Sequence, residues 1–280
     1  MEKRNSAKMK FTIITACYNS EKTIERTFES ILNQTYENIE YIVIDGNSND
    51  NTVDIIKKFS KKFTDKGIDF KWVSESDNGI YDAMNKGINI SSGDIIGIIN
   101  SDDWYRDNII SLINKYYKKE PDIDIFYGDL LKVIDNETML GFGYINLKNI
   151  QSLRLNHPTM FVKKQVYKEL GTYDTNFKIG ADRDFVFRAL NNNLKFKKID
   201  EIISYFSLEG VSNEYDSFKQ LLNRIIEELY ILKKNNINKI KIYKIILRKS
   251  ISGFINYLIS NIFGKKAYKK FLKFKFKIKK

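Results

Sequence analysis

Cysteine and histidine are nearly missing from this 280-residue sequence, with Cys17 and His157 as single representatives. One cysteine excludes an internal disulfide framework and any cysteine-cluster zinc site. One histidine excludes histidine-rich metal sites and obliges any Ser-His-Asp triad to be built around His157. Proline is scarce as well, at two residues, while 42% of the chain is hydrophobic and 29% charged. That balance excludes collagen-like, low-complexity and wholly disordered chains and leaves a globular protein with a sizeable core. Long apolar runs are also lacking. The most apolar late stretch, 251–263, is interrupted by Ser252, Gly253, Asn256, Ser260 and Asn261, and falls short of the ~20 residues that span a bilayer. The first ten residues, MEKRNSAKMK, are polar, and the apolar run at 11–17 is short with no small-residue cleavage site. No signal peptide is therefore expected, and a cytoplasmic location is.

Acid is absent from the last fifty residues. Positions 231–280 hold 16 Lys and Arg and no Asp or Glu, against 31 basic and 35 acidic residues before them. The whole positive excess of +12 thus belongs to a tail whose expected partner is anionic, and the preceding region need not bind polyanions. Clusters of Lys and Arg alternating with Ile, Leu, Phe and Tyr suit a helix lying on an anionic bilayer. A nucleic-acid partner is not expected, since no RNA- or DNA-binding motif accompanies the basic residues. A plain solvated helix is the ordinary alternative.

Before the tail, strand and helix signals alternate. KFTIITA (10–16), IEYIVID (39–45), DFKWVSE (69–75) and DIIGIIN (94–100) read as strands, with helices over 22–33, 52–63 and about 80–90. Strands apolar on both faces and separated by helices indicate a mostly parallel sheet covered on both sides, an α/β architecture of Rossmann-like type. Ligands collect at the carboxyl ends of such strands. Further on, a helix is expected over 105–118, strands over 123–129, 158–164 and 195–205, and a helix over 182–191. Beyond Gly210 the pattern turns helical, over 215–234, 239–263 and 265–279. The division expected from this is an α/β domain at 1–213 and a basic helical region at 214–280.

Three polar clusters fall at expected strand ends: Thr15 to Asn19, Asp45, and the run Asn100, Ser101, Asp102, Asp103, Trp104. Adjacent carboxylates after the apolar IIGII are costly to hold together unless a cation or hydrogen-bond donors compensate. A hard divalent cation bridging to substrate phosphates is the economical explanation; a helix N-cap is the plainer one. No G-x-G-x-x-G follows the first strand and no G-x-x-x-x-G-K-[ST] occurs, which removes the main support for dinucleotide dehydrogenases and P-loop NTPases.

Five blocks in order carry a resemblance: FTIITACYNSEKTI (11–24), SILNQTY (30–36), YIVIDGNSNDNT (41–52), SESDNGIYDAMNKG (74–87) and SGDIIGIINSDD (92–103). Over about residues 10–213 the chain resembles glycosyltransferase family 2, inverting nucleotide-sugar transferases of the GT-A fold, with Ser101 to Asp103 similar to that family's D-x-D region. The resemblance implies that Thr15, Ala16, Tyr18, Asn19, Asp45, Asp77, Ser101 and Asp102 line the nucleotide-sugar site. Within that set Thr15 and Asn19 would lie beside the nucleoside, Asp45 would accept from the base ring, Asp77 would close the pocket, and Asp102 would contact ribose or phosphates. It implies that Asp103 binds Mg or Mn and that Asp182, in ADRDF (181–185), is the general base. The DGNSND block departs from the usual D-G-G-S or D-D-G-S, and Asn47 is suited to the positive φ such a turn needs.

Asp184 competes with Asp182, but residues two apart cannot share a helical face, so one of them is expected to point inward. His157 is an acceptor-side candidate, with a hydrogen-bonded loop residue as its alternative. Cys17 reads as a small apolar filler, and Tyr81 and Trp104 as core rings beside the pocket. Together the features lead us to expect a metal-dependent inverting transfer from a nucleotide-sugar, UDP-linked, to a lipid-linked saccharide of a cell-surface polysaccharide, at the inner face of the membrane. A metal-dependent nucleotidyltransferase and a non-catalytic sugar-binding module of the same fold are the alternatives.

Overall fold

A strand covered on both sides must be apolar on both faces, and β1 (Phe11–Cys17) and β2 (Ile39–Asp45) are buried at every position. Between them α1 (Ile24–Leu32) turns Ile24, Phe28 and Ile31 inward at helical spacing. The unit repeats through α2 (Thr52–Asp65), β3 (Asp69–Ser74), α3 (Ile80–Ile90) and β4 (Ile95–Ile98). The computed structural model describes residues 8–135, 137–141, 155–208 and 217–276. Most of residues 134–156 and the division expected at 213/214 lie outside them. There follow β5 (Trp104–Tyr105), α4 (Ile109–Lys119), β6 (Ile125–Ile134), β7 (Glu137–Gly141), β8 (Met160–Lys163), α5 (Lys164–Leu170), α6 (Ala181–Asn191) and β9 (Phe196–Ser207). The tail forms α7 (Phe218–Lys234), α8 (Lys239–Ile262) and α9 (Gly264–Phe276).

The strands make one sheet in the order β3-β2-β1-β4-β8-β6-β9-β5, with β7 on β6. β1, β2, β3 and β4 run parallel, as expected. The second half is mixed: β8 is antiparallel to β4 and β6, β9 is parallel to β6, and β5 is antiparallel to β9. A mostly parallel sheet therefore describes the first half only. β7 is antiparallel because a turn at Asp135, φ 46°, folds it straight back on β6.

Alternation along β1 and β2 divides the core into two layers. Ile14, Ile42 and Ile44 face α3 and α6, while Phe11, Ile13, Tyr41 and Val43 face α1, α2 and α4. The tail joins both ends of this body. Ile231 and Leu232 of α7 and Ile245 of α8 belong to the first layer, and Tyr268 and Leu272 of α9 pack with Ile134 and Leu208. Among the described residues no helix is long and apolar enough to cross a membrane.

Candidate active site

Parallel pairing brings the carboxyl ends of β1, β2, β3 and β4 to one edge of the sheet, where their following loops meet. The loop after β1 and the loop after β2 are stitched together. Asn19, at φ 48°, donates its N–H to Ser48 Oγ at 2.8 Å and accepts from Asn49 N at 2.9 Å. Asn47 takes φ 66°, the left-handed conformation that its short amide tolerates. Gly46 lets two neighbours close in, since a Cβ there would lie 2.5 Å from Asp77 Oδ2 and 3.4 Å from the Tyr18 ring. Tyr18 is 58% exposed, so an open aromatic ring and the Asp77 carboxylate share the mouth of this pocket.

Three of the expected residues sit deeper. Thr15 is fully buried, with its hydroxyl accepting from Tyr41 OH at 3.0 Å, and Ala16 is buried in the opposite layer. Strand alternation commits both side chains to the core, so what Thr15 and Ala16 offer at the strand end is backbone. Asp45 is buried too. Its Oδ1 accepts from Ser48 Oγ at 2.5 Å and its Oδ2 from Ser48 N at 3.1 Å and Ser74 Oγ at 2.6 Å. The carboxylate thus clamps the turn after β2, and a base-ring donor must share or displace these partners. The Cys17 thiol beside it is pushed far up by burial and by Asp45, which fits an inert filler.

Ser101, Asp102 and Asp103 follow β4. Ser101 Oγ pairs with Ser20 Oγ at 2.8 Å, tying this loop to the one after β1. Burial pushes the Asp102 carboxyl up against the pull of its own N–H, His157 and Arg26. Burial and then the Asp102 charge push Asp103 well above the carboxylate range. Asp103 is 1% exposed; its Oδ1 accepts from Ser207 N at 2.8 Å, while its Oδ2 has no hydrogen-bond partner. A buried acceptor without a partner and two carboxyls that resist ionisation fit a hard divalent cation, which would supply the missing charge. Among the described residues no three acidic, His or Cys side chains converge. The protein would therefore give such a cation one or two carboxylates, and phosphate and water the remainder, an arrangement that suits Mg or Mn.

Across the cleft, α6 presents its two carboxylates differently. The Asp182 side chain is 24% exposed, with Oδ2 3.7 Å from His157 Nδ1, whereas the Asp184 side chain is fully enclosed. Asp184 holds Arg188 Nε at 2.9 Å, Lys234 Nζ at 3.2 Å and Asn235 Nδ2 at 3.2 Å, and joins α6 to α7. His157 stands between the two sides of the cleft: its Nε2 lies 3.3 Å from Asn100 Oδ1 and its Nδ1 faces Asp182.

Sequence patterns did not mark several residues that shape this site. Ser207 N reaches Asp103 from 104 positions away, and Arg26 Nη2 donates to Asp102 O at 3.0 Å. Glu227 of α7 accepts from Lys178 N and Ile179 N at 2.9 and 3.0 Å, just before Asp182. Tyr81 OH donates to Ile179 O at 2.6 Å and also lies 3.4 Å from Asp182 Oδ1, while Trp104 stacks on Tyr205 with Arg26 over its ring.

Residues 12–171 match the family described as Glycosyl transferase family 2. A PGL/p-HBAD biosynthesis glycosyltransferase of Mycobacterium bovis BCG is 25% identical over 77% of this chain and 83% of its own. An uncharacterized glycosyltransferase of Methanocaldococcus jannaschii is 28% identical over 75% and 74%. Among solved structures, Staphylococcus aureus TarS 1–349 in complex with UDP-GlcNAc superposes with a TM-score of 0.61 at 19% identity, over 90% of this chain and 73% of that one. In another TarS structure the match, at TM-score 0.58 and 19% identity, covers 92% of this chain and 44% of that one, so this chain spans less than half of that longer protein. The mannosyltransferase PcManGT of Pyrobaculum calidifontis, in complex with GDP-Man and Mn2+, gives 0.64 at 14% identity over 96% and 80%. These two neighbours have the GT-A-like fold described above, and the family match spans more than half of the sequence: the chain belongs to glycosyltransferase family 2.

Proposed function

We propose that the chain transfers a sugar, with inversion, from a nucleoside-diphosphate donor to a hydroxyl of a saccharide acceptor, with Asp182 as general base. The observation that carries this reading is the pair of acidic walls facing one another across His157: Asp182 on α6, and Asp102 with the partnerless Asp103 Oδ2 after β4. A sugar hydroxyl is a weak nucleophile, and a carboxylate in reach must take its proton as the bond to the anomeric carbon forms. One base acting opposite the leaving diphosphate suffices for inversion. Asp103, with Asp102 beside it, would hold Mg or Mn, which supplies charge stabilisation to the departing diphosphate. Tyr18, Asn19 and Asp77 rim the nucleoside pocket, and the TarS complex with UDP-GlcNAc supports a UDP-sugar as the first donor to test. His157 lies where the acceptor hydroxyl must approach Asp182 and is the acceptor-side residue of the reading.

The acceptor of the reading is a lipid-linked saccharide in the building of a cell-surface polysaccharide, met at the inner face of the membrane. The support is the mycobacterial relative named for PGL/p-HBAD biosynthesis, together with the acid-free basic tail. The test is a panel of nucleotide-sugars scored for hydrolysis with Mg or Mn and with chelator. One donor class should be hydrolysed in metal and spared in chelator; full turnover in chelator would overturn the metal reading, and no turnover of any donor would favour a non-catalytic sugar-binding module.

A further inference from the structure

α8 is 24 residues long, and its exposed apolar side chains recur every three or four positions: Ile240, Tyr243, Leu247, Ile251, Phe254 and Ile255. That spacing makes one continuous stripe along the helix. The helix cannot span a bilayer, yet Leu247, Ile251 and Ile255 remain 47%, 55% and 43% exposed. An apolar stripe left open to this extent marks a contact surface. Beside it α9 contributes Phe271, and the two helices enclose a groove of about 530 Å³, walled by Leu247, Ile251, Ile255 and Phe271. Lys244, Arg248 and Lys275 also line it. Its volume lies within the range of small-molecule sites, roughly 300–1,000 Å³.

We infer that this groove takes an acyl chain of an anionic bilayer phospholipid, with the lipid phosphate held by Lys244, Arg248 and Lys275. The inference rests on the membrane reading above and gives it a site. Charge selects the occupant: no Asp or Glu occurs anywhere in 231–280, so nothing in this region matches a basic or mixed-charge protein face. A neutral lipid would fill the apolar walls and leave Lys244 and Arg248 unused. A nucleic acid would use the cations, but besides Ser252 and Asn256 the uncharged lining is Leu247, Ile251, Ile255 and a single ring, Phe271, which leaves little for bases to stack on. A phospholipid uses both. Lys244 and Arg248 are one helical turn apart, the spacing that lets two side chains converge on one phosphate.

The test uses the full chain with vesicles of phosphatidylcholine alone and with vesicles containing phosphatidylglycerol that carries a photoactivatable group in one acyl chain. Sedimentation should favour the anionic vesicles, and cross-links should map to peptides covering 247–255 and 271. Replacing Lys244→Gln and Arg248→Gln should weaken anionic binding about fivefold for each lost cation. Ile251→Asp places a charge in the groove at a half-exposed position that the core does not need, and should cut binding and abolish the cross-link while donor hydrolysis is unchanged. Full binding by Ile251→Asp, or cross-links confined elsewhere, overturns the groove and leaves the membrane reading standing. Equal binding to both vesicles, or none, overturns both.

Discussion

At the start of α6, Asp182 keeps one oxygen toward the cleft and His157, while two residues later Asp184 is enclosed by Arg188, Lys234 and Asn235. The two positions should therefore fail in different ways. Asp182→Asn should lower turnover by ~10² or more with donor KM and Tm nearly unchanged. Asp184→Asn should instead lose stability, by about 1–3 kcal/mol, because the enclosed position loses the charge that Arg188 and Lys234 bond to; thermal unfolding reads it. The metal reading has its own residue test: Mg or Mn should raise the Tm of the wild type and leave that of Asp103→Asn unmoved, with transfer abolished in the variant. At the opposite end of the sheet, Glu40 is buried, and burial pushes its carboxyl up. Lys71 Nζ at 2.6 Å, Ser92 N and Oγ, and Thr12 Oγ1 outweigh that and lower it to about 2. A depressed folded value means that the stability is present above the unfolded value near 4.5 and is lost as pH falls toward 2. Glu40→Gln should cost up to about 3 kcal/mol at neutral pH, and the difference from wild type should shrink between pH 4.5 and 2 in denaturant titrations.

At the scale of elements, α7 positions Asp182, the base of the proposal above. Its capping box, Ser217 with Gln220, fixes where the helix begins. Glu227 then grips the N–H groups of Lys178 and Ile179, and Gly180 is bare enough for Ile231 to pack where a Cβ would come within 2.6 Å. Glu227→Gln replaces an acceptor by a donor facing an N–H group. Turnover should fall by about tenfold to a hundredfold, the scale of a small misplacement of a reacting group, while nucleotide affinity measured by calorimetry stays the same. Little of this clamp was legible in the sequence. The strands and helices of the first half were, because the 7-residue apolar runs of β1 and β2 and the 9–14-residue amphipathic segments of α1, α2 and α3 alternate between Phe11 and Ile90. The Ser101 to Asp103 run was legible for the same reason, since it ends such a strand. α5 has only seven residues and β5 two, too few for a period to show. Contacts such as Ser207 to Asp103 and Glu227 to Lys178 join residues 104 and 49 positions apart, and no local pattern encodes them. The burial of Thr15 beside Ala16 was in principle readable from strand alternation, which sends one side chain into each layer.

Over the whole molecule, the basic tail is joined to the α/β body through one core layer, through the small cluster around Ile134 and Leu208, and through charge. A chain ending at residue 238 keeps α7 and loses Ile245 and the Lys249 partner of Glu228. It should fold with Tm lowered by roughly 5–10 °C, hydrolyse donor, and no longer sediment with anionic vesicles. A chain ending at residue 216 should fail to fold, since Ile231, Leu232 and the Lys234 partner of Asp184 go with α7.

Glu228 is almost fully buried, with Arg183 Nε 3.1 Å from one oxygen and Lys249 Nζ 2.5 Å from the other, so a single carboxylate joins the residue after Asp182 to α7 and α8. A protein assembled by grafting the α7 to α9 segment of one family member onto the catalytic half of another would bring Glu228 and Lys249 together but take position 183 from the other parent. A buried carboxylate that loses one of its two cations is destabilised, so such chimeras should be less stable unless arginine stands at position 183. The body and the helices that follow it are thus coupled through one carboxylate, and a segment exchanged without position 183 carries the cost of that mismatch with it.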